Sequence, residues 1–154
     1  MKVLPELYPT DFDAPPANEI LLPYGIIGFS AYKRAELLYL PDHLPFLWMK
    51  LHGPETLQFI VIEPGGIVPG YEPELFNEDA DALDLRSSAE VMILNIVTLR
   101  SQNPVEATAN LIGPVVVNRR TRLARQLVIS NYSRYSAHHP LVEPAQAPVA
   151  LRIA

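Results

Sequence analysis

The side chains best able to do chemistry in this chain do not assemble into a reactive motif. Its four histidines stand at His43, His52, His138 and His139. A metal site needs three or four converging ligands, and adjacent histidines on an extended chain point to opposite sides. Asp79, Asp81 and Asp84 supply acids at close spacing, but a calcium loop also needs oxygens at alternate positions and a glycine for its sharp turn. Gly65-Gly66-Ile67-Val68-Pro69-Gly70 is glycine-rich. No lysine followed by a Ser or Thr hydroxyl stands behind it, and proline removes an amide that would face phosphate, so the stretch reads as a turn. Ser30 and Ser130 lack the Gly-x-Ser-x-Gly elbow that exposes a hydrolase nucleophile. The chain has no cysteine, hence no thiolate, disulfide or Cys-based zinc site. No two carboxylates are singled out for acid–base work. These residue types predict no catalysis, no cofactor and no metal.

One cluster invites a binding role. Arg119, Arg120, Arg122 and Arg125 fall within seven residues, and guanidinium groups grip phosphate well. An RNA-binding β-barrel using the Arg119–Arg125 hairpin is therefore one reading. Single-strand recognition usually adds an aromatic platform, and no aromatic is interleaved here. A solvated hairpin tip and a contact for an acidic protein patch are the other readings.

Charge bounds the partners further. The net charge is -5 and the pI about 5.3, which disfavours general nucleic-acid binding because a polyanion is repelled. Residues 72–90 carry Glu72, Glu74, Glu78, Asp79, Asp81, Asp84 and Glu90 against Arg86 alone, whereas residues 100–154 carry seven arginines against Glu106 and Glu143. The first segment suits a basic partner and the second an acidic one, unless both are ordinary solvated surface. The N-terminus, Met1-Lys2-Val3-Leu4-Pro5, runs into prolines and acids where a secretory signal would be continuously apolar. The most apolar stretch, Val91 to Leu99, is about half the roughly 20 residues of a spanning helix. A cytoplasmic protein without a membrane anchor is expected.

The elements that would position these groups read as strands. A length of 154 residues fits one domain, and 16 prolines argue against long helices. Residues 1–18 read as an extended lead-in because of Pro5, Pro9, Pro15 and Pro16. Short apolar runs between turn signals predict about eight strands: Ile20–Leu22, Leu37–Leu40, Phe46–Leu51, Leu57–Ile62, Glu90–Arg100, Glu106–Leu111, Val115–Asn118 and Gln126–Ser130. Leu57–Ile62, with Leu57, Phe59 and Val61 on one face and Gln58, Ile60 and Ile62 on the other, reads as at least partly buried on both faces, and Val91–Leu99, apolar on both faces apart from Asn95 and Thr98, as a strand covered on both sides. Pro73–Leu85 is the one helical candidate, with its acids toward the start. Arg119–Arg125 forms the tip of a hairpin, Trp48 reads as core, and Val149–Ile153 is either an edge strand or loose. The expected organisation is a lead-in at 1–18, a β domain at 19–141 and a C-terminal extension at 142–154.

Several of these stretches carry a family likeness. Tyr24-Gly25-Ile26-Ile27-Gly28-Phe29, Pro45-Phe46-Leu47-Trp48-Met49, Leu57 through Pro64, Tyr71-Glu72-Pro73-Glu74-Leu75, Ile96-Val97-Thr98, Thr108 through Asn118 and His139-Pro140-Leu141 resemble the FliW family of bacterial flagellar assembly factors in order and spacing. The likeness spans about Glu19 to Leu141. It implies an all-β fold, a closed or nearly closed antiparallel β-barrel with one or two short helices, and no enzymatic activity. It also implies two partners, flagellin and the RNA-binding translational repressor CsrA, with no direct nucleic-acid contact. The pattern departs at Ile27, where the family usually has proline, at Met49-Lys50-Leu51-His52, at Gly65-Gly66-Ile67-Val68, and at Ala124, where glycine is common. Alanine there disfavours a positive φ and predicts a different turn. As partner contacts, the reading selects Tyr71, Glu72 and Glu74, then Thr108, Asn110 and Asn118, and Arg122. Tyrosine and arginine anchor interfaces, and the asparagines interrupt apolar strands.

Overall fold

A computed structural model of the chain describes residues 1–3, 18–102 and 105–141. Residues 4–17 of the lead-in and all of the extension, with the strand considered at Val149–Ile153, lie outside the described residues. Nine strands form one antiparallel sheet: β1 (Glu19–Leu21), β2 (Arg34–Leu38), β3 (Phe46–His52), β4 (Leu57–Ile62), β5 (Val91–Gln102), β6 (Val105–Ala109), β7 (Val115–Asn118), β8 (Ala124–Gln126) and β9 (His139–Pro140). One helix, α1 (Asn77–Ala82), interrupts them between β4 and β5.

The order along the sheet is β1-β2-β3-β4-β5-β6-β9, with β7 also on β5 and β8 on β7. β5 is the element from which both arms spring: Val91–Leu94 pairs with β7, and Val97–Gln102 with β6. The segment 110–114 lies between those ladders, and Asn95 fills the break. Its Nδ2 donates to the Asn110 carbonyl at 3.0 Å, while the Asn110 N–H donates to the Ile96 carbonyl at 2.9 Å.

Side-chain alternation explains why the sheet is buried twice. On β5, Val91, Ile93 and Val97 enter one apolar cluster, and Met92 and Leu94 enter a second on the opposite face, as a period of two requires. β3 divides likewise, with Phe46 on one side and Leu47, Met49 and Leu51 on the other. Burying each such side chain contributes roughly 1.5–3 kcal/mol. Trp48 is half-buried against the first cluster, its Nε1–H donating to His43 Nδ1 at 2.9 Å.

Several expectations are corrected. The sheet is not closed: a single parallel bridge between Leu21 and Leu123 spans the gap from β1 to the turn before β8. β2 begins earlier than Leu37 and ends before Tyr39, because Tyr39 and Leu40 are exposed and lead into a 3-10 turn at Pro41–His43. β8 stops at Gln126. Beyond it, Leu127 N–H to the Pro114 carbonyl and Ile129 N–H to the Ile112 carbonyl hold the chain to the irregular 110–114 segment rather than to a ladder. β9 escapes a pattern search because it has two residues, one of them proline.

The helix falls inside Pro73–Leu85, with Glu78 and Asp79 in its first turn, where carboxylates meet the positive end of the dipole. It ends at Leu83, and Asp84 adopts a left-handed φ of 50°. In the hairpin tip the left-handed residue is Arg122, at φ 67°, while Ala124 lies in β8.

Candidate interaction surface

The acidic and arginine-rich segments, separate in sequence, meet in the fold. Asn118, at the end of β7, is fully buried. Its Nδ2 donates to the carbonyls of Leu83 (2.8 Å) and Asp84 (3.2 Å), and its Oδ1 accepts from the N–H groups of Arg120 (2.8 Å) and Thr121 (3.2 Å). One side chain thus fixes the β7–β8 turn against the end of α1. The arginines arrive with it. Arg120 Nε donates to Glu90 Oε2 at 2.5 Å and Nη2 to Asp84 Oδ2 at 3.0 Å. Arg125 stands 4.0 Å from Asp79 and stacks over the Tyr24 ring at 4.7 Å. The Arg120 hydrogen bonds hold the carboxyls of Asp84 and Glu90 below their ordinary range. Much of the charge contrast read from sequence is therefore spent inside the molecule.

Tyr71, Thr108 and Asn118 do not face outward. Tyr71 is 3% exposed, its hydroxyl donates to the Leu111 carbonyl at 2.7 Å, and it accepts from Asn95 Nδ2 at 3.2 Å. Its ring meets Tyr135 edge-on at 4.9 Å, and burial pushes its hydroxyl well above the ordinary tyrosine value. Thr108 is buried within β6 between Thr98 and Pro140. Asn110 is half-buried, its Oδ1 accepting from Ile112 and Gly113. Asn110 and Asn118 stand where the apolar strands β6 and β7 end because their amides satisfy backbone groups there.

Glu72, Glu74 and Arg122 remain partly exposed. Glu72 pairs with Lys2 at 3.1 Å. The backbone of Glu74 is held by Asn131 Oδ1 on its N–H and by Ser130 on its carbonyl. The Tyr39 hydroxyl is pushed up to about 12 by burial first and by Glu63 second, against the opposing Arg119 and Arg122 charges. Burial also raises the Glu63 carboxyl, and Arg119 offsets part of that.

An apolar groove is the feature that sequence reasoning missed. Ile26, Ile27, Phe29, Phe59, Ile96 and Val128 line a hollow of about 300 Å³ with the amides of Asn110 and Gln126. No ionisable side chain lines it. Gln126 fixes one wall by accepting the Ile27 N–H at 2.9 Å and donating to the Gly113 carbonyl at 3.0 Å. Ile27 itself is 64% exposed between Gly25 and Gly28, both at positive φ. A β-branched residue displayed between two glycines was the signal available in the sequence. Among the described residues, no three His, Asp or Glu side chains group as metal ligands, and no helix is long and apolar enough to cross a membrane.

The molecule is thus an antiparallel β protein whose distinctive features lie on its surface: an apolar groove and a hairpin tip knitted to an acidic helix. The family model described as FliW protein matches residues 8–141. The chain is 38% identical over 122 residues to the flagellar assembly factor FliW of Natranaerobius thermophilus, covering 79% of this chain and 80% of that one. It is 35% identical over 123 residues to the flagellar assembly factor FliW of Bacillus subtilis, covering 79% and 84%. A crystal structure of the flagellar assembly factor FliW superposes with a TM-score of 0.73 at 27% identity, over 94% of this chain and 99% of that one. This chain belongs to the FliW family.

Proposed function

We propose that this chain is a cytoplasmic flagellar assembly factor that binds flagellin monomer and the translational repressor CsrA in mutually exclusive complexes, coupling flagellin synthesis to export, without enzymatic activity. The observation that carries the reading is the match to the FliW family over residues 8–141, with relatives named as flagellar assembly factors. The surface supports it. An uncharged apolar groove with Ile27 at its rim has the composition of a polypeptide contact. Exchange between two partners needs only that each binds the same protein with a different affinity and excludes the other. Glu72, Glu74 and Arg122 are the proposed polar contacts.

The test is titration calorimetry of the purified protein with flagellin monomer, with CsrA, and with each in the presence of the other. One-to-one binding to both, with competition, is expected. Ile27→Glu is expected to leave the melting temperature within about 1 °C, because Ile27 is an exposed site without special contacts, while weakening at least one complex at least tenfold. Absence of binding to both partners at micromolar concentration refutes the function.

A further inference from the structure

We propose that Arg122, with Leu21 beside it, is a receptor for a carboxylate on the partner polypeptide; this rests on the partner-binding function above and locates one contact within it. Three independent observations converge on the residue. First, its backbone has a conformation that arginine disfavours. The φ of 67° lies in the left-handed region, where glycine and asparagine are at home. What the fold asks of position 122 is met by main-chain atoms alone: its N–H donates to the Asn118 carbonyl at 2.7 Å, and its carbonyl accepts from Leu21 N–H at 2.9 Å. Any residue but proline could make those bonds, and glycine would make them without strain. The arginine side chain therefore answers to something other than the turn. Strain retained at one residue is a pointer to function.

Second, the neighbouring cations are engaged. Arg120 is held by Glu90 and Asp84, and Arg125 by Asp79 and the face of Tyr24. The Arg119 charge acts on Glu63, and its Nε lies 3.5 Å from the Val91 carbonyl. The Arg122 guanidinium acts on the Tyr39 hydroxyl, and its side chain is half-exposed. Third, its surroundings suit a protein contact. Leu21, whose N–H bonds the Arg122 carbonyl, is 43% exposed and gives the site an apolar flank at the surface, and arginine is among the side chains that anchor interfaces.

Charge decides the chemistry of what binds. A nucleic acid draws affinity from several cations at once, whereas two of the four tip arginines are already neutralised within a chain of net charge -5. One partly exposed guanidinium with an apolar flank instead fits a single planar carboxylate, which it can bind through two parallel hydrogen bonds.

The experiment compares the full chain with Arg122→Gly, Arg122→Asn and Arg122→Lys, measuring melting temperature and the affinities for flagellin monomer, for CsrA and for a single-stranded RNA oligonucleotide. The melting temperatures of the Gly and Asn variants are expected to be unchanged or raised by a few degrees. Their affinity for at least one protein partner is expected to fall tenfold or more, with Arg122→Lys retaining part of it. A melting temperature lowered by several degrees in both Gly and Asn variants overturns the inference, since the side chain would then be structural. Unchanged affinity for both proteins also overturns it, as does RNA binding that is lost in the variants. A wild-type chain that binds neither protein fails earlier, at the proposed function.

Discussion

Asn118→Ala measures how much of the fold depends on the junction between the β7–β8 turn and α1. The substitution deletes four hydrogen bonds, two donated to the carbonyls of Leu83 and Asp84 and two accepted from Arg120 and Thr121. Each contributes about 1 kcal/mol net, and a buried partner left unsatisfied costs about 1–3 kcal/mol. Asp84, Arg120 and Thr121 are exposed residues, so water recovers part of the loss there. Leu83 is 2% exposed, so its carbonyl cannot be rehydrated as easily. The sum is about 3 kcal/mol, which for a chain of this size lowers the melting temperature by roughly 6–12 °C. Urea unfolding followed by the fluorescence of Trp48 should show a lower midpoint with an unchanged slope. Asn118→Asp is a second probe, because a carboxylate keeps the two acceptor contacts and cannot donate to Leu83. It should lose a comparable amount. If both variants unfold within about 0.5 kcal/mol of the parent, the junction is not held by this side chain and the argument is wrong.

Gly25→Ala tests the loop that walls the groove. Its φ is +67°, and an added Cβ would stand 2.7 Å from Ser30 Cα, against backbone that cannot swing away. A loss of about 2–3 kcal/mol is expected from strain and overlap together, read as a lower urea midpoint. Glu63→Gln tests burial of a charge. A carboxyl whose folded pKa is raised is protonated more readily folded than unfolded, so its cost to stability grows as pH rises from the ordinary carboxylate range through the raised value. The glutamine variant should therefore melt higher than the parent at about pH 7, and the gap should close at about pH 4. A gap that widens on acidification would contradict that sign.

The strands were legible wherever alternation ran long enough. Leu57–Ile62 and Val115–Asn118 match the sequence reading residue for residue, and β5 differs by one or two at its ends. Burial on both faces of β5 followed from the lack of a polar set in Val91–Leu94. What failed was governed by long-range pairing. β9 exists because Thr108 and Ala109 offer an edge, a fact absent from His139–Pro140 itself. Tyr71, Asn118 and Thr108, offered as partner contacts, are buried: the Tyr71 hydroxyl and the Asn118 Nδ2 serve carbonyls 34 to 40 residues away, and Thr108 packs within the sheet. Sequence alone does not separate a polar group that bonds inward from one offered to a partner. The groove escaped notice for a related reason. Its walls come from the loop after β1, β4, β5 and the segments around β8, and no local window contains them.

The shared role of β5 governs how the molecule comes apart. Val91–Leu94 pairs with β7, Asn95–Val97 with β4 and Val97–Gln102 with β6, so melting any one of these ladders leaves the strand held by the others. Such a strand acts as a keel: its amides should exchange with solvent only when the whole domain opens, while β1 and β9, short and at the ends of the sheet path, fray independently. A cell protease searching for a foothold will find it at those margins long before the middle yields.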